Sequence, residues 1–410
     1  MMTLSIFLDV PEATKDTDKQ KEEAHLKDRD RRKIFLAQRV LLSEDGQPWV
    51  PLPVKKAYLQ IVNDPTRNHE HLPVAGEQGF IRGVIEFALG KDSKAILHNR
   101  ASGVQTPGTT GAFRIGAEFL HRWYHINKTF SVCLAQLAHD RYRGIFEAAG
   151  LKNFCPYRFW DKINMGLALP EMLEDLENSP DFSIVVLPTS CNSTGVQLSH
   201  SDWRQIADIM KRKNMLPFFH LKDQGLGSGD VDADAWPVRY FVSEDFELFC
   251  AQSFSTSFGL YGERVGNLLI VMKNNEVVVS VRSQLEGLAR DIWSTPPSIG
   301  SRVVATVLNN PTLYVEWKDS VMMTVRRLMV IREKIREKLR LLETIKSWEH
   351  VTRQAGLCAF LGLTLNQVDV LAKKKHVYLP EHGQMNISGL NATNLDYVTR
   401  AIHDVTMDGH

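Results

Sequence analysis

The feature that most constrains this chain is a series of short, apolar segments that alternate with amphipathic helices. Four of these segments are predicted to be strands, at residues 184–187, 216–219, 246–250 and 268–271. Strands that are apolar along nearly their whole length are typical of a parallel sheet whose two faces are both covered by helices. The sequence therefore predicts an α/β protein with a mostly parallel sheet.

With 410 residues, the chain is long enough for more than one packed unit. From about Asp319 to Ile345, apolar residues at helical spacing predict a long helix that joins a large unit to a smaller one of mixed helix and strand. The polar residues 11–33, with both charge signs mixed, predict an exposed arm or a solvated helix. We predict these units: an N-terminal arm at 1–15, a small domain from 16–48 and 323–410, and a large domain at 49–322.

Charge and composition exclude several classes of function. Lysines and arginines number 49 against 48 acidic residues, so the chain has no overall basic field for nucleic acid or an anionic membrane. No apolar run reaches the roughly 18 residues of a membrane span. Asp9 and Glu12 do not suit an acid-poor transit peptide. We therefore predict a cytoplasmic protein without nucleic-acid or membrane partners.

The cysteines predict neither a disulfide framework nor a zinc site. They are scattered, odd in number and never spaced as CxxC: Cys133, Cys155, Cys191, Cys250 and Cys358. This pattern favours a reducing compartment.

Four polar stretches follow predicted strands or precede predicted helices. They are GTTG at 108–111, NSTG at 192–195, HLKD at 220–223 and SFSTSFGLYGER at 253–264. In open α/β sheets, ligands bind at the carboxyl ends of the strands. These stretches are therefore the predicted functional site.

In this order, the four stretches resemble the cofactor-binding signature of class I aminotransferases. From about Ser5 to His403 the flanking sequence is similar to cytosolic aspartate aminotransferase, in the segments NHEHLP, GAFRIGAEFLHRWY, YRFWD, DFSIVVL, AWPVRYFVSEDFELFCAQSFS, FGLYGERVGNL, WSTPP and NISGL. The resemblance implies the pyridoxal-phosphate (PLP) transferase fold type I, with a mostly parallel sheet sandwiched by helices in the large domain and a smaller α+β domain. It also implies PLP as cofactor, amino transfer between aspartate or glutamate and the matching 2-oxo acid, and a homodimer.

The central catalytic residue of that family is altered here. A lysine holds pyridoxal as a Schiff base and then moves the substrate's α-proton. The family's SFSK is SFST in this chain, which puts Thr256 at the lysine position. A threonine hydroxyl forms no imine and is no base near neutral pH, so no intact catalytic residue is predicted.

Most residues that the family uses around the cofactor ring are also changed. His220 replaces the aspartate that keeps the pyridine nitrogen protonated, and Asp223 replaces the tyrosine that meets the phenolic oxygen. His139 aligns with the stacking aromatic and Lys222 with a small residue on the other ring face. By the same resemblance, Asn192 is a retained contact to the phenolic oxygen.

The resemblance also predicts a damaged substrate site. Gln384 replaces the arginine that clamps the α-carboxylate, which loses both the charge and the fork geometry. Arg290, which in the family enters the neighbouring subunit's site, is retained. His71 replaces a tyrosine that reaches the cofactor phosphate across the dimer, and Arg39 replaces a glycine that closes over substrate.

The phosphate-binding residues of the family are retained. Hydroxyls, backbone N–H groups and one guanidinium bind a phosphate monoester. The retained residues are Thr110, Ser253, Ser255 and Arg264.

The favoured functional hypothesis is a catalytically silent paralogue that acts by dimerising, either with itself or with an active aminotransferase. Its basis is the combined loss of the lysine, the aspartate and the arginine beside a retained framework.

A second hypothesis is a binding module for a small phosphorylated or dicarboxylate anion. It rests on cationic residues that would meet in one cleft in the family geometry. They are Arg39, His71, His139, His220, Lys222, Arg264 and Arg290.

A third hypothesis is a surviving PLP enzyme that uses Lys222 as a displaced Schiff-base amine. If residues 216–222 form one strand, His220 and Lys222 point to the same side. The alternative, which we favour, is that Lys222 fills the vacated ring pocket.

A metal site is the remaining hypothesis. His71, His139, His220 and Asp223 offer zinc-type ligands. In the family geometry they surround a ring-sized cavity, so we predict no metal.

Overall fold

A computed structural model describes residues 5–13, 17–124, 130–136, 139–189, 194–344 and 347–407, and within these ranges it leaves the side chains of residues 139–141 undescribed. Helices and strands alternate along the chain. The helices are α1 Thr17–Lys27, α2 Leu52–Val62, α3 Gln78–Leu89, α4 Lys94–Leu97, α5 Gly108–Trp123, α6 His139–Ala148, α7 Leu169–Asn178, α8 His200–Arg212, α9 Val231–Ser243, α10 Val278–Trp293, α11 Ser298–Asn309, α12 Pro311–Leu341, α13 Glu349–Arg353, α14 Leu365–Lys375 and α15 Leu395–Met407. The strands are β1 Ile34–Phe35, β2 Ala101–Pro107, β3 Val132–Ala135, β4 Phe154–Tyr157, β5 Trp160–Asp161, β6 Gly166–Leu167, β7 Ile184–Pro188, β8 Leu216–Leu221, β9 Leu248–Ser253, β10 Val265–Val271, β11 Cys358–Phe360, β12 Val377–Tyr378 and β13 Gln384–Asn386.

In the described part of the chain, seven strands form the central sheet, in the order β2-β10-β9-β8-β7-β3-β4. β10 runs antiparallel to both its neighbours, and the pairs from β9 through β8, β7 and β3 to β4 are parallel. The predicted mostly parallel sheet is therefore confirmed. The predicted strand at 246–250 begins two residues later and runs on to Ser253, because Gly266 of β10 pairs with that residue.

Helices cover both faces of this sheet, as the apolar strands predicted. In β8, Phe219 and Leu221 belong to one buried cluster with side chains from α3, α8, α9 and α12. Leu216 and Phe218 of the same strand belong to a second cluster with side chains from α5, α6 and α10. Alternate residues of a strand point to opposite faces, which explains why β8 is apolar at almost every position.

The predicted long helix is present, but it begins at Pro311 rather than near Asp319. The Asn310 side chain accepts hydrogen bonds from the backbone N–H groups of Thr312 at 3.0 Å and Leu313 at 3.2 Å. An asparagine N-cap followed by proline at the first helical position is a strong start signal. In the described part of the chain, no helix is both long and apolar enough to cross a membrane.

The N-terminal segment packs against the last hundred residues. β1 pairs in parallel with β12, and the Asn386 amide donates to the carbonyl oxygens of Gln38 and Val40 at 2.8 Å each. The preceding helix, α1, contains no buried residue, which agrees with a solvated helix there. The division into domains at 48 and 322 stays a prediction.

One prediction about the cysteines is wrong, because Cys133 and Cys155 form a disulfide. They are register partners on the neighbouring parallel strands β3 and β4, with Cα atoms 4.5 Å apart, which suits a disulfide. The two cysteines are separated by 22 positions in the sequence, and nothing local indicated their pairing, because the whole sheet decides which strands become neighbours. Cys250 and Cys358 are free thiols, and Cys191 lies outside the described residues.

The contact between the two chain ends should depend on pH. Asp28 accepts hydrogen bonds from the Asp30 backbone N–H at 2.8 Å and the Tyr378 hydroxyl at 2.7 Å, and His376 Nδ1 lies 2.7 Å away. The hydrogen bonds from Asp30 and Tyr378, together with the neighbouring His376, lower the pKa of Asp28 from 3.8 to about 2. A lowered pKa contributes stability that is present above the ordinary value and lost as the pH falls through the lowered one.

We therefore expect the urea midpoint of the wild type to fall more steeply from pH 3.8 to pH 2 than that of Asp28→Asn. Asp319→Asn, an exposed change on α12, is the matched control and should follow the wild type. Equal slopes for wild type and Asp28→Asn would contradict this account.

Candidate active site

Three of the four predicted stretches meet at one edge of the central sheet. Leu221 at the end of β8 pairs with Gln252 of β9, the next β9 residue Ser253 pairs with Gly266, and Val265 pairs with Pro107 at the end of β2. The stretches at 220–223, 253–264 and 108–111 therefore lie side by side. Asn192 falls outside the described residues; β7, which precedes it in the sequence, ends at this edge, where Pro188 pairs with His220.

The residues predicted to bind phosphate lie near the start of α5. The Arg264 guanidinium lies so close to Gly108 that a Cβ on this glycine would be 2.5 Å from Nη2. Gly108 also has φ of +68°, a second reason for glycine here. Arg264 Nη1 donates to the Tyr261 carbonyl oxygen at 3.4 Å, and the Ser255 N–H donates to Ser253 Oγ at 3.2 Å. Thr110 is exposed in the first turn of α5.

Thr256 is buried in the turn that follows β9, with only 8% of its surface exposed. Its side chain shares a hydrogen bond with Tyr261, and the Tyr261 hydroxyl accepts from the Leu41 backbone N–H at 2.9 Å. Burial is the main reason that the pKa of Tyr261 rises to about 12. Two neutral hydroxyls therefore occupy this place near neutral pH, and neither forms an imine.

His220 is held inside the sheet edge. Its Nδ1 is hydrogen-bonded to the Tyr142 hydroxyl, and its ring packs edge-on against Phe113 with centroids 5.2 Å apart. Tyr142 lies on α6, which begins at His139. The His139 side chain is outside the described residues. The Tyr142 partner was not predicted, because a contact 78 residues away along the chain leaves no local pattern.

Lys222 lies just beyond β8 and forms an ion pair with its neighbour. Its Nζ is 3.2 Å from Asp223 Oδ2, and the Asp223 side chain is 3% exposed against 37% for Lys222. Within the described part of the chain, the other Asp223 oxygen, Oδ1, is buried and has no hydrogen-bond donor. The ammonium group is thus held by a buried carboxylate.

Cys358 of β11 is a site neighbour that the sequence did not single out. Burial raises the pKa of its thiol to about 11, while the charges of Lys222, Arg332 and Arg39 act to lower it and Asp223 acts to raise it. Lys222 and Asp223 therefore lie within electrostatic range of β11. A buried thiol with a raised pKa is a poor nucleophile near neutral pH.

The predicted substrate residues are more dispersed. Gln384 is half-buried on β13, directly opposite Phe360 of β11. Arg39 is exposed and forms a 2.6 Å ion pair with Asp18 of α1.

The two residues predicted at a subunit boundary lie near each other. His71 is exposed, and its Nδ1 is 3.3 Å from Thr295 Oγ1. Arg290 is exposed in the last turn of α10, five residues before that threonine. Both side chains are open to a partner.

For metal binding, no group of three or more histidine, cysteine, aspartate or glutamate side chains comes together among the residues that the structure describes.

Comparison with known proteins gives one consistent result. Residues 31–402 match the family described as aminotransferase class I and II. The chain is 44% identical over 406 residues to the cytoplasmic aspartate aminotransferase of Gallus gallus, covering 98% of each chain.

Solved structures of aminotransferases superimpose on this chain over nearly its whole length. The cytoplasmic aspartate aminotransferase of Saccharomyces cerevisiae superimposes with a TM-score of 0.95 at 30% identity, covering 99% of each chain. An aromatic-amino-acid aminotransferase of Burkholderia pseudomallei, covalently bound to pyridoxal phosphate, gives 0.94 at 32% identity, covering 98% of this chain and all of the other.

Proposed function

The chain belongs to the class I and II aminotransferases, and we propose that it is a non-transaminating member of that family that acts as a dimer. Thr256 carries this proposal. It stands at the position of the Schiff-base lysine, and its buried hydroxyl is bonded to Tyr261. The ring and substrate positions support the same conclusion, because His220 supplies no fixed negative charge and Gln384 no guanidinium fork.

Pyridoxal phosphate is the cofactor that the family implies, and the site fits only part of it. Arg264, packed on Gly108 beside the Ser255 and Thr110 hydroxyls, suits a phosphate monoester. At the ring end, Thr256 has no amine, and the Lys222 ammonium is paired with Asp223. The site therefore does not fit pyridoxal as a covalently held cofactor, and no reaction step is assigned to it.

The third hypothesis, in which Lys222 replaces the Schiff-base lysine, is the least supported. A Schiff-base amine has to be deprotonated to attack a carbonyl, and an adjacent buried carboxylate favours the charged form. Lys222 as a filler of the ring pocket, held by Asp223, agrees better with the 3.2 Å ion pair.

A dimer is supported by the exposed side chains of Arg290 and His71, which lie near each other around Thr295. We propose a homodimer, with a heterodimer containing an active aminotransferase as the alternative, in the cytoplasm that the relative's name states. Sedimentation of the purified chain should give twice the mass of one chain. A monomer at micromolar concentration, with no mass gain on mixing with active aspartate aminotransferase, would contradict both forms.

Binding of a small phosphorylated anion is a second candidate function, favoured by the position of Arg264 against Gly108. Several of the other cations proposed for the cleft have partners of their own, since Arg39 pairs with Asp18 and Lys222 with Asp223. The anion site is therefore proposed at Arg264 rather than along the whole cleft.

Inorganic phosphate should raise the melting temperature of the protein with increasing concentration, because a ligand that binds only the folded state stabilises it. Arg264→Met should weaken phosphate binding by about tenfold or more, the loss of one charge-assisted contact. Arg82→Met is the matched control. Arg82 is exposed, and its Nε lies 3.8 Å from Glu86 Oε1, a long distance for an ion pair. A melting temperature unaffected by phosphate would rule out the anion site.

A further inference from the structure

We propose that the cleft binds a dipolar ligand, a phosphate monoester that carries a primary amine two or three carbon atoms from the phosphate. The phosphate would lie at Arg264 and the ammonium at Asp223. This inference rests on the proposed anion site, to which it adds the second half of the ligand.

Asp223 is the observation that points to a cationic group. It is 2% exposed, and although Oδ2 is paired with Lys222, Oδ1 is enclosed with no donor among the residues that the structure describes. A buried carboxylate oxygen without a donor costs free energy that a bound N–H group would recover. An ammonium supplies that donor together with the complementary charge.

The nearest neutral groups are already engaged elsewhere. The Tyr261 hydroxyl, which lies within electrostatic range of Asp223, is bonded to Thr256 and to the Leu41 N–H. Cys358, also in range, keeps its proton near neutral pH because burial raises the pKa of its thiol to about 11. Neither gives Oδ1 a donor, so this oxygen keeps its capacity to accept a hydrogen bond from a ligand.

The spacing of the strands sets the length of the ligand. Asp223 follows β8 and Arg264 precedes β10, with β9 between them in the sheet. Neighbouring strands are about 4.8 Å apart, so the backbones that carry the two groups are separated by roughly 10 Å. Tyr261 spans the same interval, since its carbonyl accepts from Arg264 and its hydroxyl lies within electrostatic range of Asp223. A phosphate and an ammonium joined by two or three carbons fill this gap when each makes a close ionic contact.

Lys222 weakens the preference of the site for a ligand that carries an amine. Its ammonium, 3.2 Å from Oδ2, already supplies part of the positive charge that Asp223 attracts. A ligand amine therefore binds against a competing cation. Removal of that cation should strengthen the preference for amines.

The test compares O-phosphoethanolamine with ethyl phosphate, its analogue without the amine, by isothermal titration calorimetry, with inorganic phosphate as a third probe. The wild type should bind the amine-bearing ester roughly tenfold more tightly, the size expected for one hydrogen bond to a charged group. Asp223→Asn should reduce this ratio to about one. Lys222→Met should increase the ratio, and Asp319→Asn on the exposed face of α12 should leave it unchanged.

Equal affinity of the wild type for the two esters would overturn the inference while the phosphate site stands. No binding of any of the three probes would overturn both. If Asp223→Asn does not fold, Lys222→Met still tests the inference. A ratio of the affinities for the two esters that does not rise in Lys222→Met would contradict the role given to Asp223.

Discussion

Purified protein given pyridoxal phosphate, aspartate and 2-oxoglutarate is expected to form no measurable oxaloacetate, and Thr256→Lys is expected to leave it inactive. An active enzyme of ordinary speed turns over about ten times per second. For this protein we expect a rate at least a thousandfold lower. The rate is measured by coupling oxaloacetate formation to NADH oxidation. The physical reason is that the site lacks an amine at Thr256, where two buried neutral hydroxyls are bonded to each other.

The single replacement is insufficient because the other altered positions remain. His220, bonded to Tyr142, holds no fixed negative charge, and Gln384 offers no bidentate partner to the α-carboxylate. The combined variant Thr256→Lys, His220→Asp and Gln384→Arg should exceed the single variant in rate. Substantial turnover by Thr256→Lys alone would show that the ring and substrate positions matter less than this account requires.

Asp234→Ala is expected to destabilise the protein by roughly 4 kcal/mol, because four hydrogen bonds to one buried carboxylate disappear together. Asp234 Oδ2 accepts from the N–H groups of Gly225 at 2.8 Å and Gly227 at 2.9 Å. Its Oδ1 accepts from the Ser228 N–H at 3.0 Å and hydroxyl at 2.7 Å. This loop begins two residues after Asp223, so the Asp234 carboxylate holds in place the segment that follows Asp223.

Chemical denaturation of the variant and of Asp232→Ala makes the comparison. Asp232 lies on the same helix but forms an exposed ion pair with Arg239 at 2.7 Å, and such pairs contribute about 1 kcal/mol or less. If Asp234→Ala lost as little stability as Asp232→Ala, water would have to replace the carboxylate in the loop. Asp234 would then not hold this loop in place.

Much of the fold could be predicted because its causes are local. Apolar strands such as β7 and β8 follow from the need to bury both faces of a parallel sheet. The start of α12 was predicted too late, although Leu313 and Trp317 in its first turns are buried at helical spacing with Val321 and the cap, Asn310, precedes them. The Cys133–Cys155 bond was missed because it depends on which strands become neighbours.

The candidate site was predictable to the extent that it resembles a known family. The resemblance located Thr256, His220, Lys222 and Asp223 at strand ends, and the structure places them at one edge of the sheet. It gave no information on their present partners. The hydrogen bonds with Tyr142 and Tyr261 and the electrostatic interaction with Cys358 depend on how this chain packs. They could be found only in its structure.

The measurement that tests the central claim most directly is a search for a covalent adduct. The pure protein is incubated with pyridoxal phosphate and reduced with borohydride, and phosphopyridoxyl groups are mapped by peptide mass spectrometry. The account predicts no stoichiometric adduct at any residue of the cleft, with at most scattered labelling of surface lysines, because Thr256 has no amine and the Lys222 ammonium is paired with Asp223. A stoichiometric adduct on Lys222 would contradict it and would show that this chain has moved its Schiff-base amine rather than lost it.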